Sequence, residues 1–503
     1  MLQMKTILLV FFILMFGGIK AQHQHNMANM KMDSIAKPKM DTLSSTPHKY
    51  DVKSTDMKLM RDTVLKKKQN MKTMGMNIRK DAMNMKVNGM EMDGMKMEGD
   101  MKIENMSHAY SLSLPMNRNG SGTSWMPDNT PMYMIMKRSK KDMWMFHGNI
   151  FLRYNTQELT NRTARSASQF DAPNWFMAMY NRKVGKNGLF HFSSMFSLDA
   201  LTVGNSGYPL LFQSGEAYQG KALVDRQHPH DLFSELSVSY SQRLTKNVDV
   251  FGYFGYPGEP ALGPTAFMHR TSTMNDPDAP LGHHWQDATH ITFGVATVGI
   301  RLNKFKLETS RFTGREPDEH RYDFDKATFN SFSYRISYNP SRAWALQVSQ
   351  GYLKSPESLH PNENIWKYTA SGQYNSTVTK KGKYVASTFV FGLNDAGFGH
   401  KQQSYLAESN FQLNNKNAVY GRYEFVQKSA EELDIETTYG DRRFDINKIT
   451  AGYNHVLFSV GTFAVAAGTQ FSLNIVPSSL QNLYGVSPIS GQVYLQFRPR
   501  LML

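Results

Sequence analysis

The stretch Leu232-Phe-Ser-Glu-Leu-Ser-Val-Ser-Tyr-Ser-Gln-Arg-Leu244 sets Leu236, Val238 and Tyr240 on one face and Glu235, Ser237, Ser239, Ser241 and Arg243 on the other. A repeat of two residues marks a β-strand, because successive side chains point to opposite sides. Thr245-Lys-Asn247 then turns the chain into Val248 to Tyr256, rich in aromatic and β-branched residues, so the pair reads as a hairpin. The same alternation recurs farther along. Phe332, Tyr334, Ile336 and Tyr338 oppose Ser331, Ser333, Arg335 and Ser337, and Val493, Leu495 and Phe497 oppose Gln492, Tyr494, Gln496 and Arg498.

Sixteen strands are expected on this pattern, near 144–154, 174–183, 188–199, 233–244, 248–256, 288–302, 304–312 and 331–339, then 343–353, 365–376, 383–393, 402–413, 417–427, 445–457, 462–473 and 491–499. Short turns such as Gly185-Lys-Asn-Gly188, Asn303-Lys304 and Asn414-Asn-Lys-Asn417 alternate with long loops. An even number of strands with turns at one end and loops at the other is the pattern of an outer-membrane barrel, with the turns in the periplasm. A soluble sandwich also alternates apolar and polar residues, but need not gather its long loops at one end. The expected fold is therefore all-β: a transmembrane antiparallel β-barrel of about 16 strands, preceded by a disordered Met-rich segment.

Residues 1–21 have the layout of a secretory signal peptide, with Lys5, an apolar run from Thr6 to Phe16 and small residues ending at Ala21. No cysteine is present, so neither a lipid-anchored cysteine nor a disulfide framework is available. The net charge of +15 lies partly in the segment after the signal, and export removes the chain from nucleic acid.

Residues 22–108 carry no apolar period that would bury a core, and seventeen of the 33 methionines fall between Met27 and Met106. They recur in pairs: Met74 with Met76, Met83 with Met85, Met90 with Met92 and Met95 with Met97. His23 and His25 stand near the start of the segment, and His48 and His108 follow. A thioether is a soft, neutral ligand that loses no proton on binding, which suits Cu(I) or Ag(I) in an exported chain without thiolates. The competing reading is a flexible spacer. Residues 109–142, dense in Gly and Pro, are expected as an ordered loop or lumen-lining segment, with the barrel proper over 143–503.

Seven of the sixteen histidines lie between Asp225 and Asp325. His228, His230 and Asp231 precede one strand, and His283, His284, Asp287 and His290 stand where another is expected to begin, with Arg315 to His320 after its neighbour. The topology puts all three groups at the external rim. Imidazole with carboxylate suits Cu(II) or Zn, although His283 and His284 would face opposite ways on an extended piece. Alternatively these residues pin long loops together with Arg226, Arg270, Arg315 and Arg321. No G-x-S-x-G elbow is present, and Ser234 and Ser237 near His230 do not define a triad, so a barrel hydrolase is the weakest reading.

The tail followed by a barrel resembles the copper-resistance B type of outer-membrane protein. The motifs Gly122-Thr-Ser-Trp-Met-Pro-Asp128, Phe170-Asp-Ala-Pro-Asn-Trp175, Asp225-Arg-Gln-His-Pro-His-Asp231, Gly282-His-His-Trp-Gln-Asp-Ala-Thr-His290 and Phe312-Thr-Gly-Arg-Glu-Pro-Asp318 look more like an uncharacterised exported family found with metal-resistance proteins. The resemblance implies an outer-membrane protein of copper or silver binding and resistance, with lipid, metal ions and periplasmic copper-handling proteins as partners. The alternative is a general or solute-selective porin without a metal role.

Overall fold

The computed structural model describes residues 107–160, 162–397 and 400–502. Sixteen wall positions close into an antiparallel barrel. The first eight are β1 (Asp142–Thr156), β2 (Asn174–Val184), β3 (Gly188–Phe196), β4 (Phe233–Thr245), β5 (Val248–Gly255), β6 (Val295–Leu302), β7 (Phe305–Phe312) and β8 (Ser331–Ser341). The second eight are β9 (Trp344–Lys354), β10 (Asn364–Asn375), β11 (Tyr384–Asp395), β12 (Lys401–Gln412), β13 (Asn417–Ser429), β14 (Arg443–Val460), β15 (Phe463–Ile475) and β16 (Ile489–Pro499). Closure runs from β16 to β1, with Gly491 opposite Thr156 and Phe497 opposite Ile150. Two short pieces fill the remaining edges of β1: Ile135–Arg138 along its first half and Ser168–Asp171 along its second.

The alternation works in reverse of a water-soluble protein. Val238, Tyr240, Val298, Tyr334, Ile336, Val348 and Val493 are exposed, while Ser237, Ser239, Glu308, Arg335, Glu408 and Arg422 are buried. An apolar exterior and a charged interior suit a wall whose outside meets lipid, which locates the protein in the outer membrane. No described helix is long and apolar enough to cross a membrane.

One expectation changes. The strand expected over 288–302 starts only at Val295, because 283–290 forms helical turns. Among the described residues, Ser107–His108 pairs with Ser111–Pro115. The signal peptide and the ligands expected in the tail (His23, His25, Met74, Met76, Met83, Met85, Met90, Met92, Met95 and Met97) lie outside the described residues.

Chain fills the lumen from both ends. At the turn end, Ser111 Oγ donates to Asp249 at 2.6 Å, Asn339 Nδ2 to the Met126 carbonyl at 3.0 Å and Asn375 Nδ2 to Thr130 Oγ1 at 2.8 Å. These bonds tie the N-terminal segment 107–134 to β5, β8 and β10. The connection 256–294 between β5 and β6 crosses to the far walls. Gly263 N donates to Ser349 Oγ at 2.8 Å, Asn275 to Asn410 at 2.8 Å and Leu281 N to Glu424 at 2.6 Å.

Buried charge on the lumen face is matched by this inner loop. Arg153 holds Asp171 and the loop's Asp278 at 2.6 and 2.7 Å, and the loop's Arg270 holds Asp287 and Glu408 at 3.1 and 2.8 Å. A guanidinium out of water is tolerated only when its fork is filled, which is why these arginines specify where the loop lies.

Candidate metal centre

The inner loop lays the helical turn His283–Gln286 against β10, β11 and β12. Lys367 Nζ on β10 donates to the His284 carbonyl at 2.5 Å, and Gln286 Nε2 donates to Ser404 Oγ on β12 at 3.1 Å. Helical rather than extended backbone turns consecutive side chains by about 100° instead of to opposite faces, so His283 and His284 share a neighbourhood, with ring centroids 4.8 Å apart. Gly215 makes room for them: its φ is +124°, and a Cβ there would lie 2.6 Å from the His284 ring.

His228 arrives from the connection between β3 and β4. Its ring centroid is 5.9 Å from that of His283 and 5.5 Å from that of His284, and one ligand atom from each of the three lies within 4.8 Å of the others. These three histidines sit deeper than the external rim expected of them. These side chains are buried inside the loop end of the lumen, because the loops that carry them fold inward onto the charged wall.

The other expected ligands surround this trio in two ways. Asp287 Oδ1 accepts from His283 Nδ1 at 2.6 Å, which leaves the His283 Nε2 lone pair for a ligand role, and Asp287 Oδ2 accepts from Arg270. His290 stands 5.0 Å from His283 and 5.6 Å from His230, measured between ring centroids. His290 Nδ1 donates to the Asp287 carbonyl at 2.7 Å, and His230 Nδ1 to Asp199 at 2.7 Å. The Nε2 atoms of His230, His284 and His290 are buried with no hydrogen-bond partner among the described residues. Asp231 is drawn away from the trio by Arg321, 3.3 Å distant. Arg226, bonded to the Ser206 carbonyl at 2.7 Å, and Arg315, bonded to Ser355 at 2.7 Å, tie loops together without touching the imidazoles.

Burial lowers the His228 pKa well below the ordinary histidine range, with His284 and Arg321 adding to the effect, and takes His283 and His284 to about 4. His290 falls to about 3 by burial and the proximity of His283. Burial alone would raise Asp287, but the hydrogen bond from His283 and the charge of Arg270 hold it below the usual carboxylate range. The rings are thus neutral at neutral pH, the form that binds metal.

Glu216, absent from the expected set, contributes a carboxylate 3.1 Å from His228 Nε2 and also pairs with Arg321. Its stretch, Gln213 to Ala217, has no ligand spacing that would single it out. Glu316, within the Arg315 to His320 group, comes to 3.5 Å from His284 Nδ1. Three imidazoles with a carboxylate fit borderline divalent ions such as Zn or Cu(II), provided the nitrogens close in toward the metal–nitrogen distance of about 2.1 Å.

No family model and no curated protein matches the chain. Solved structures similar to it include Salmonella typhi OmpF in complex with daunomycin, with TM-score 0.45, 9% identity, and 72% of this chain and 100% of that chain covered. An anion-selective porin from Comamonas acidovorans gives 0.42 and 10%, with 72% and 100% covered. The outer membrane channel DcaP of Acinetobacter baumannii gives 0.43 and 9%, with 72% and 99% covered. The barrel assignment stands on the strand pairing described above and takes nothing further from these likenesses.

Proposed function

We propose that this protein is an outer-membrane barrel that handles copper or silver. The loop-end imidazoles bind Cu(II) or Zn, and the Met/His-rich segment before the barrel binds Cu(I) or Ag(I) in support of copper tolerance. The observation that carries the reading is the convergence of His228 with His283 and His284, three buried imidazoles from two separate connections, with ligand atoms within 4.8 Å. Loop pinning alone accounts for Asp231 and Asp287, whose carboxylates are taken by arginines, but gives no reason to bury imidazole nitrogens without partners. The tail half of the reading rests on ligand chemistry, because clustered thioethers hold a soft ion without proton competition.

The second reading, a general or solute-selective porin, draws on barrel architecture. It expects a water-filled lumen, whereas this one carries the loop 256–294 from wall to wall.

Two variants test the proposal in full-length protein purified in detergent. H283A/H284A should weaken Zn or Cu(II) binding by about a hundredfold or more, as expected when ligands are lost beyond the roughly 10–100-fold cost of an outer-shell change. Unchanged binding with a lower melting temperature would leave loop pinning as the role of these residues. Leucine in place of the methionines from Met71 to Met101 keeps the apolar bulk and removes the sulfur. Equal Cu(I) binding and equal growth on copper would reject the tail's metal role and move the porin reading ahead.

A further inference from the structure

A second constellation lies away from the loop-end imidazoles, built from residues of β1, β2 and β3 and of the chain inside the barrel. In β1, Met143, Met145 and His147 point inward while Trp144 and Phe146, 40% and 43% exposed, face out. In β2, Met177 and Met179 are buried on the same interior face. Strand register places Met145 opposite Met179, His147 opposite Met177 and Met177 opposite Met195 of β3. Elsewhere the inward face mixes serine and arginine, as at Ser237, Ser239 and Ser241 or at Ser333, Arg335 and Ser337, with aromatic and aliphatic residues such as Phe251, Phe312 and Ile446. Among the buried wall residues, thioethers gather in this one cluster.

The remaining sides come from the chain inside the barrel. Met116 and Met132 of the N-terminal segment join the same buried cluster, and Met134 and Met268 pack against it. Together with Met177 and Met179 they line a cavity of about 110 Å³ that His147 and His269 also face. That is room for an ion with a few waters at about 30 Å³ each. His147 Nε2 lies 3.1 Å from Met177 Sδ, and the His147 and His269 ring centroids are 5.8 Å apart.

We propose that this chamber binds a soft monovalent ion, Cu(I) or Ag(I), through methionine thioethers and the His147 imidazole. No carboxylate lines it among the described residues, so it lacks the anionic oxygens that favour a hard divalent ion. Its two guanidiniums, Arg270 and Arg498, already have partners. Arg270 is held by Glu408 and Asp287, and Arg498 sits 4.5 Å from the centre of the Tyr133 ring. Their positive charge still favours a singly charged guest over a doubly charged one. The competing account is packing, since methionine fills irregular gaps where a segment docks against a wall. Packing explains the burial of Met116 and Met132, but not an imidazole nitrogen directed at a sulfur across a strand pair. The inference rests on the metal-handling reading for its biological sense, while its ligands are wholly separate from the loop-end trio.

The test uses full-length protein in detergent with every methionine from Met27 to Met106 replaced by leucine, so that the tail is silent, and Ag(I) as a probe that does not change oxidation state. This protein should retain one firmly bound Ag(I). Adding M177L/M179L should weaken that site by at least about tenfold, or about 1.4 kcal/mol, whereas adding H283A/H284A should leave it unchanged and remove only Zn binding. Absence of Ag(I) binding in the tail-silent protein, or equal binding after M177L/M179L, would overturn the proposal. If M177L/M179L does not fold, silver-edge X-ray absorption of the tail-silent protein decides. Sulfur beside nitrogen in the coordination shell upholds the chamber, and nitrogen or oxygen alone rejects it. Loss of Zn binding in H283A/H284A is read separately, so the loop-end reading can fail while the chamber stands, and the reverse.

Discussion

The two ends of the lumen solve the placement of neutral ligands differently. At the loop end, imidazoles carried on connections gather among carboxylates, with Glu216, Glu316 and Asp287 all within hydrogen-bonding or ion-pair reach of a ring. At the turn end, thioethers from β2 and from the chain inside the barrel gather where no carboxylate lines the cavity. A divalent ion gains from the first setting and a monovalent one from the second. One barrel thus offers two ligand chemistries, and the difference arises from what the wall and the loops each contribute.

Arg270 is the joint between the two. It follows His269, which faces the chamber, and it grips Asp287, which orients His283, as well as Glu408 on the wall. Replacing it, as in R270M, removes the cation that two buried carboxylates share, leaving Asp287 with the His283 ring and Glu408 with Arg422 alone. Breaking a buried pair from one side costs about 3–5 kcal/mol, so the largest loss of barrel stability is expected here, read as a lower thermal midpoint in detergent. Zn and Ag(I) binding should fall together. Loss of one with retention of the other would show that the two ends are held independently and would break the comparison.

Glu259 sharpens the comparison from the side of stability, because it seats the inner loop on the N-terminal segment. Gly122, at φ +49°, has room for no side chain there, since a Cβ would lie 2.7 Å from the Glu259 Cβ. Burial pushes the Glu259 carboxyl up to about 8, with the charge of Arg335 opposing. An acid whose folded pKa is raised binds its proton more tightly in the folded chain. Its contribution is therefore complete below the ordinary glutamate range and is lost as pH rises toward 8, by up to about 1.4 kcal/mol per pH unit. E259Q, which imitates the neutral acid, should match the parent near pH 4 and surpass it increasingly between pH 5 and 8. A constant difference across that range would show that Glu259 is ionised in the folded barrel.

Much of this architecture is legible in the sequence, and the part that is not has a physical explanation. Strands such as Phe233–Thr245 and Ser331–Ser341 announce themselves because one face meets lipid and the other the lumen, so every second residue is constrained. The stretch before Val295 misleads because its aromatic and β-branched residues serve packing inside the lumen rather than pairing in the wall. His228, His283 and His284 are visible as ligand-type residues, but their depth is not, since the fold-in of the loop depends on arginines that meet wall carboxylates far away in sequence. Glu216 and Asp199 are missed for the same reason. The chamber was spelled out in Met143-Trp-Met-Phe-His147, where thioether and imidazole alternate with exposed aromatics, yet its meaning depends on β2 and β3 registering beside it.

The smallest expected effect is the finest probe of the separation between the two ends. Asp287 touches no candidate metal position itself. It accepts from His283 Nδ1 at 2.6 Å and from the backbone N–H of Phe267 at 2.9 Å, so it fixes the ring's tautomer and its angle. D287N keeps an oxygen acceptor for the His283 N–H but removes the negative charge that strengthens the ring as a donor to metal. An outer-shell change of this kind costs roughly 10–100-fold in affinity without altering stoichiometry. Isothermal titration with Zn should therefore give a weaker site of the same capacity, while Arg270 remains held by Glu408 at 2.8 Å and the barrel stays folded. Ag(I) binding in tail-silent protein should not move, because no ligand of the chamber touches Asp287. A parallel fall in Ag(I) affinity would mean that the loop 256–294 transmits the change from one end to the other, and the two sites would then have to be read as one coupled system.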